Sequence, residues 1–159
     1  MEEQLNDAEG RQHWLGSAGG VLHLYLWLVM GGLLLQGIGS LVLRAQRSLA
    51  APSPTAVSNF FSDNPPHAWV HIAWGTTGLV ILIARRPAHV RWWLALIFGV
   101  FYTLLGFLGV AVHNPFGLAL GLVENAFHLL VGPSMLLLVV LARRDAGGPT
   151  LVHATPRVS

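Results

Sequence analysis

Hydrophobic residues in this 159-residue chain are concentrated in four long stretches rather than in short amphipathic segments. The stretches run over Val21–Leu43, His67–Ala84, Trp92–Val112 and Gly121–Ala142. Each has close to the ~20 residues that a helix needs to cross the hydrocarbon core of a bilayer. The pattern predicts an all-α integral membrane protein in which four transmembrane helices form a bundle.

Two of the stretches contain the same pattern of residues. HIAWG and HLLVG, which start at His71 and His128, each begin an apolar run that ends in Arg-Arg. His71 lies 14 residues before Arg85 and His128 lies 15 before Arg143, so the two imidazoles have nearly the same depth. The preceding stretches carry glycine pairs of equal spacing, Gly32 with Gly39 and Gly99 with Gly106. We therefore expect two repeated helix hairpins, related by an approximate two-fold axis along the membrane normal.

The distribution of arginine predicts the topology. All nine basic residues are Arg, and seven of them lie before the first stretch, between the second and third, or after the fourth. The positive-inside rule then makes both termini cytoplasmic. The chain divides into a cytoplasmic N-terminal segment (1–20), a four-helix transmembrane domain (21–142) and a disordered cytoplasmic tail (143–159). Heavy use of Arg, Ala, Gly and Leu indicates a bacterial source, hence a multi-pass protein of the inner membrane.

Composition excludes several kinds of function. Without cysteine the chain has no disulfide, thiolate metal site, iron–sulfur cluster or Cys-attached haem. The pI of 9.9 comes from arginines at the ends of the spans, so the expected partner is the lipid bilayer and not nucleic acid. Other membrane subunits or a second copy are further candidate partners. No acid or Arg lies at the predicted bilayer centre, which argues against a proton pump, a voltage sensor or an ion-coupled transporter.

Paired polar residues near the start of the second and fourth helices predict a metal site. His67 and His71 are four residues apart, and Glu124 and His128 repeat that spacing, so each pair lies on one helix face. Together they offer three imidazoles and a carboxylate, a set that suits a divalent metal such as zinc or iron. Alternatively, His67 and Glu124 lie in water at the outer interface, where the helix dipole favours Glu124. Candidates for supporting hydrogen bonds are Asn125, Asp63 and His113.

The deeper histidines allow a different hypothesis. Gly75 and Gly132 lie four residues after His71 and His128, on the same helix faces. Absence of a side chain there would leave room for a flat macrocycle, and paired axial histidines in a four-helix bundle are typical of haem b. The alternative is that the glycines serve close helix packing and the histidines hydrogen-bond between helices.

The region from about Asn59 to Arg144 resembles a known family. It contains HAWVHIAWGTTGLVILIARR, FGVFYTLLGFLGV and ENAFHLLVGPSMLLLVVLARR. In this pattern of His, Gly and apolar residues it resembles a bacterial membrane family known as domain of unknown function 4383. The resemblance implies four spans with a histidine near the start of the second and fourth, and it singles out His71 and His128. It implies no activity.

Three functions remain open from the sequence. The favoured one is a non-enzymatic inner-membrane protein, such as an accessory subunit of a larger complex, with a buried cluster of His, Glu and Asn near the outer face. The second is a redox or metal-binding protein that holds haem b or a divalent metal. The third is an enzyme that uses the same cluster for acid–base chemistry on a lipid. No phosphate-binding loop, nucleophile elbow or zinc-protease motif occurs, so no residue is assigned a catalytic role.

Overall fold

The computed structural model describes residues 17–47, 64–112, 115–118 and 120–146. These residues form four α-helices, and no β-strand occurs among them, which confirms the all-α prediction. The helices are α1 (Ala18–Arg47), α2 (Pro65–Ile83), α3 (Ala88–Ala111) and α4 (Leu122–Ala146). A single 3₁₀ turn, Pro115–Gly117, lies between α3 and α4.

Three of the helices, α1, α3 and α4, are long and apolar enough to cross a membrane. Helix α2 is not among them, because its first half contains two prolines and two histidines. All four helices nevertheless expose large apolar side chains on their outer surfaces. Contiguous apolar surface of this kind is typical of contact with lipid. One example from each helix is Leu35, Val80, Leu104 and Leu130.

The helices pack as two hairpins. Helix α1 packs most extensively on α2, and α3 on α4, while a smaller α1–α4 interface and a narrow α2–α3 contact join the hairpins. Helices α2 and α4 therefore lie on opposite corners, and their side chains meet along the bundle axis. The central core consists of large side chains that are fully buried, among them Leu26, Met30, Phe98, Tyr102 and Met135.

Glycines allow the two helices of each hairpin to touch. A Cβ atom on Gly75 of α2 would lie 2.7 Å from the backbone nitrogen of Leu34 in α1. A Cβ atom on Gly132 of α4 would lie 2.5 Å from the backbone nitrogen of Thr103 in α3. Backbone atoms cannot move aside as a side chain can, so these two approaches require glycine.

Equivalent contacts in the two hairpins involve a different glycine pair from the one that the spacing suggests. Gly37 of α1 packs on Ile72, and Gly106 of α3 packs on Leu129. Ile72 and Leu129 are the residues that follow the two repeated histidines. The residue of α1 that occupies the position equivalent to Gly106 is thus Gly37 and not Gly39, because Gly37 is the one on the helix face that packs against α2. The two-fold relation of the hairpins stays a prediction.

The first turns of α2 and α4 lie at the same end of the bundle. Asn64 precedes α2, which begins with two prolines at positions that need no backbone donor. The side-chain amide of Asn64 donates a hydrogen bond of 2.6 Å to the carbonyl of Gly117, in the turn before α4. We call this the histidine end, after His67, His71 and His128, and the opposite one the basic end, after Arg85, Arg86, Arg91, Arg143 and Arg144.

The predicted division of the chain stays a prediction. Helix α1 begins at Ala18, and α4 continues to Ala146, four residues past the predicted boundary at Ala142. The rest of the predicted tail, the first 16 residues and most of the first loop lie outside the described residues.

Candidate metal centre

Three histidines from opposite corners of the bundle converge at the histidine end. His67 and His71 lie on consecutive turns of α2, so both project from one helix face. That face turns inward, and it meets His128 from the second turn of α4. The three side chains are among the most buried polar groups of the described chain, with exposures of 1%, 3% and 0% respectively. The sequence predicts nearly equal depths for His71 and His128 alone, and the structure brings His67 into contact with both.

The imidazoles are close enough to share one ligand. The ring centroids of His67 and His71 are 4.4 Å apart, and that of His128 lies 5.5 Å from His67 and 6.3 Å from His71. One nitrogen from each ring can be chosen so that all three lie within 4.8 Å of one another. Zinc–nitrogen bonds of about 2.0–2.1 Å hold tetrahedral donors about 3.3–3.4 Å apart. A contraction of about 1.5 Å or less, within reach of small side-chain rotations, completes a three-nitrogen site.

Most of the ring nitrogens have no hydrogen-bond partner among the described residues. Within the described part of the chain, five of the six have no surface exposed to solvent and no hydrogen-bond partner. They are both nitrogens of His67, both of His128 and Nε2 of His71. Buried polar atoms in proteins are nearly always paired, since each unpaired one costs about 1–3 kcal/mol. Without a ligand this cluster is therefore a costly arrangement, and a bound cation is the partner that accepts several imidazole nitrogens at once.

The space between the histidines has the size of a single atom. A cavity of about 10 Å³ lies between them, bounded also by Gln36, Val123, Glu124 and Phe127. This volume is close to the minimum needed to hold one water molecule. It accommodates an ion, whereas a macrocycle is far larger.

Glu124, the predicted fourth ligand, lies at the edge of this cavity and not within the three-nitrogen group. Its Oε2 atom is 2.8 Å from the position of a Cβ on Gly121, so the carboxylate turns back toward the start of α4. Acidic residues are stabilised there by the helix dipole, as the alternative interpretation of Glu124 expected. A rotation of this half-buried side chain is needed to bring the carboxylate onto an ion in the cavity.

Tyr102 of α3 is a neighbour of the site that the sequence reasoning did not select. Its ring stacks on His71 at a centroid distance of 6.2 Å and meets the edge of His128 at 5.0 Å. Its hydroxyl is buried without a hydrogen-bond partner among the described residues. The sequence feature that could have identified Tyr102 is the presence of a single tyrosine inside an apolar span, where a polar hydroxyl needs a hydrogen-bond partner.

The candidates for supporting hydrogen bonds fall elsewhere. Asn125 is buried, but its amide donates to the carbonyl of Leu120 at 3.5 Å, and its carbonyl oxygen packs against Gly109. It joins the start of α4 to the preceding loop and does not line the cavity. Asp63 and His113 lie outside the described residues.

The glycines assigned to a haem are engaged in helix packing. The faces of Gly75 and Gly132 are covered by the backbones of α1 and α3, which leaves no gap for a porphyrin beside either residue. The rings of His71 and His128 are perpendicular, with an interplanar angle of 90°. In this conformation the histidine nitrogens therefore fit a small ion better than they fit a haem.

A scan of protein families found no family that matches the chain, and no curated protein or solved structure matches it either. Membership of domain of unknown function 4383 stays a prediction.

Proposed function

We propose that this chain is a metal-binding membrane protein in which His67, His71 and His128 hold one divalent transition-metal ion. The observation that carries the proposal is the convergence of three buried imidazoles around an atom-sized cavity, with five of their six nitrogens lacking a hydrogen-bond partner among the described residues. The proposal combines the two leading hypotheses from the sequence, a non-enzymatic membrane protein and a metal-binding protein, since a protein can bind an ion without catalysing a reaction. A role as an accessory subunit of a larger complex stays a prediction.

The chemistry of the donors selects the class of metal. Neutral imidazole prefers zinc, copper, nickel, cobalt and ferrous iron, while magnesium and calcium require oxygen ligands. Three neutral ligands leave the full double charge of the ion in a buried place, which is costly without a compensating anion. Glu124 lines the same cavity and supplies that charge when its carboxylate turns inward. We therefore expect three His ligands and Glu124 as the fourth, the quartet that the sequence predicts.

Zinc and cobalt binding to the untagged, full-length protein in mild detergent tests the proposal. The protein is first stripped of metal with a chelator and then loaded with zinc. We expect it to bind one equivalent of zinc by elemental analysis. We also expect the intense visible bands of four-coordinate cobalt. Each of His67→Ala, His71→Ala and His128→Ala should abolish both signals, and Glu124→Gln should weaken binding about tenfold or more, the loss of one charged partner. His89→Ala, an exposed histidine at the basic end, is the matched control.

Several outcomes would overturn the proposal. Zinc binding that survives in the triple variant His67→Ala/His71→Ala/His128→Ala contradicts the proposal, and so does a wild-type protein that binds no more zinc than this variant does. A Soret band that depends on His71 and His128 would instead establish the haem alternative.

We also propose that α2 is a fourth span, with the basic end cytoplasmic and the histidine end outside a bacterial inner membrane. The exposed apolar residues of α2 and the concentration of arginine at one end support this topology. Because the chain has no cysteine, single cysteines report the side of the membrane cleanly. A membrane-impermeant maleimide should label Ser58→Cys in intact cells and Ala84→Cys only after lysis. The reverse pattern would invert the topology, and labelling of both from outside would remove α2 as a span.

A further inference from the structure

A second and much larger cavity lies at the basic end of the bundle. It has a volume of about 770 Å³ and lies between the first turns of α1 and α3 and the last turns of α4. Sites for small molecules and cofactors commonly measure about 300–1,000 Å³ and have mainly apolar walls. The apolar lining includes Leu22 and Leu26, which are buried, together with Trp92 and Trp93.

The mouth of this cavity is cationic. Arg91 from α3 and Arg143 from α4 both line it, and no Asp or Glu among the described residues does. The Arg143 guanidinium lies 5.5 Å from the centroid of the Trp92 ring, in a cation–π contact that holds it over the cavity wall. Asp145 is nearby, but its carboxylate accepts a hydrogen bond of 2.9 Å from the backbone N–H of Ala18.

Hydrogen-bond donors outnumber acceptors at this mouth. His23 lines the cavity, and its Nε2 accepts a hydrogen bond of 3.2 Å from the indole of Trp27, which lies outside the lining, while Arg91 approaches Nδ1 of the same ring at 2.9 Å. A neutral imidazole has only one accepting nitrogen, so both donors cannot be satisfied by it at once. The buried indole N–H of Trp92, which also lines the cavity, has no acceptor among the described residues. A ligand with several acceptor oxygens would satisfy this surplus.

We propose that this cavity binds an anionic phospholipid, with its phosphate between Arg91 and Arg143 and an acyl chain along Leu22 and Leu26. A phosphate supplies both the negative charge and the acceptors that the mouth lacks, and guanidinium groups bind it in bidentate geometry. Basic pockets between membrane helices, at the level of the headgroups, are suited to anionic lipids. The site lies at the opposite end of the bundle from the histidines, so it does not depend on the metal proposal.

Binding of defined lipids to the delipidated full-length protein in detergent tests this site. Phosphatidylglycerol and phosphatidylcholine with identical acyl chains are compared by native mass spectrometry. We expect phosphatidylglycerol to bind at least about tenfold more tightly, and the double variant Arg91→Gln/Arg143→Gln to remove that preference. The matched control is Arg85→Gln/Arg86→Gln, which removes the same charge from the same end at residues that do not line the cavity. The control should keep the preference.

A second measurement needs no variant of the arginines. Phosphatidylglycerol with brominated acyl chains should quench the tryptophan fluorescence of the wild-type protein more than brominated phosphatidylcholine does. The double variant Trp92→Phe/Trp93→Phe should lose most of that difference, since both residues line the cavity.

Three results would overturn the lipid assignment. Equal loss of binding in the two double variants would reduce the effect to net charge. Equal affinity for the two lipids, or equal quenching by them, would remove the role of the phosphate. Inorganic phosphate or glycerol phosphate that binds as tightly as the lipid would assign the site to a soluble anion.

Discussion

Replacement of His128 by leucine separates a metal site from a structural histidine cluster. His128 is fully buried, neither of its ring nitrogens has a hydrogen-bond partner within the described ranges of the chain, and leucine has a similar volume. If the cluster exists to hold a cation, His128 lowers the free energy of unfolding of the metal-free protein. If it exists to hydrogen-bond between helices, the histidine stabilises the protein under all conditions.

The structure sets the size of the effect. Removing two unpaired nitrogens should raise the free energy of unfolding of the metal-free protein by about 1–3 kcal/mol, since one unpaired buried group costs that much and the repacking around leucine offsets part of the gain. Zinc at 100 times its Kd should stabilise the wild-type protein by about 2.7 kcal/mol and leave His128→Leu unchanged. When zinc replaces chelator, the wild type should therefore gain about 2.7 kcal/mol relative to the variant, which closes the difference at the upper end of the range and reverses the order elsewhere.

Reversible unfolding by dodecyl sulfate in mixed micelles, with chelator or with zinc, measures both quantities. His89→Leu serves as the control and should change the unfolding free energy by no more than about 0.5 kcal/mol in either condition, because His89 is exposed. Interhelical hydrogen bonds in membranes average about 0.6 kcal/mol and reach about 1.7 kcal/mol. A loss of this size for His128→Leu in chelator, with no response of the wild type to zinc, would refute the reasoning.

Three further predictions follow from single residues, the first with a matched control, and a fourth concerns the pH. Gly75→Ala should destabilise the protein by about 1–3 kcal/mol in the same unfolding assay, because its Cβ would lie 2.7 Å from the Leu34 backbone nitrogen. Gly31→Ala has nothing within 4 Å and should be neutral or stabilising by up to about 1 kcal/mol, so equal losses in the two variants would contradict the packing argument. Arg85 lies two residues after the end of α2 and has a φ of 48°, so Arg85→Gly should raise the unfolding free energy by about 1 kcal/mol; a decrease would mean that the side chain outweighs the strain. Tyr102→Phe should keep one zinc equivalent by elemental analysis, and a loss of zinc would make the hydroxyl a ligand. Zinc affinity measured by calorimetry should fall once the solution is acidic enough to protonate the metal-free imidazoles, because protons then compete with zinc for the ring nitrogens, and an affinity that does not respond to acid would exclude histidine ligands.

Several features were predictable from local sequence. The four helices follow from the length of the apolar stretches, since a helix that satisfies its own backbone hydrogen bonds is the simplest structure for such a segment. The pairing of His67 with His71 on one face follows from the helical period alone. The depth of His128 relative to His71 follows from counting residues to the Arg pairs, because the rise per residue is constant.

The relation between helices was decided only by the tertiary structure. The sequence could place Glu124 beside His128, but the orientation of its carboxylate toward the start of α4 depends on what surrounds it. The matching of Gly106 with Gly37, and not Gly39, depends on which face of α1 packs on α2. Tyr102 joined the site because α3 brings it against two histidines of other helices.

The sequence by itself thus determined the helices, their order and the depth of each histidine, because these depend on hydrophobicity and on the fixed geometry of one helix. It did not determine that the space beside Gly75 and Gly132 is filled by neighbouring backbones, or that the histidines enclose a cavity of about 10 Å³. Those features depend on the rotation and separation of helices that are distant in sequence. Such quantities are set by the packing of all side chains together, and no local pattern encodes them.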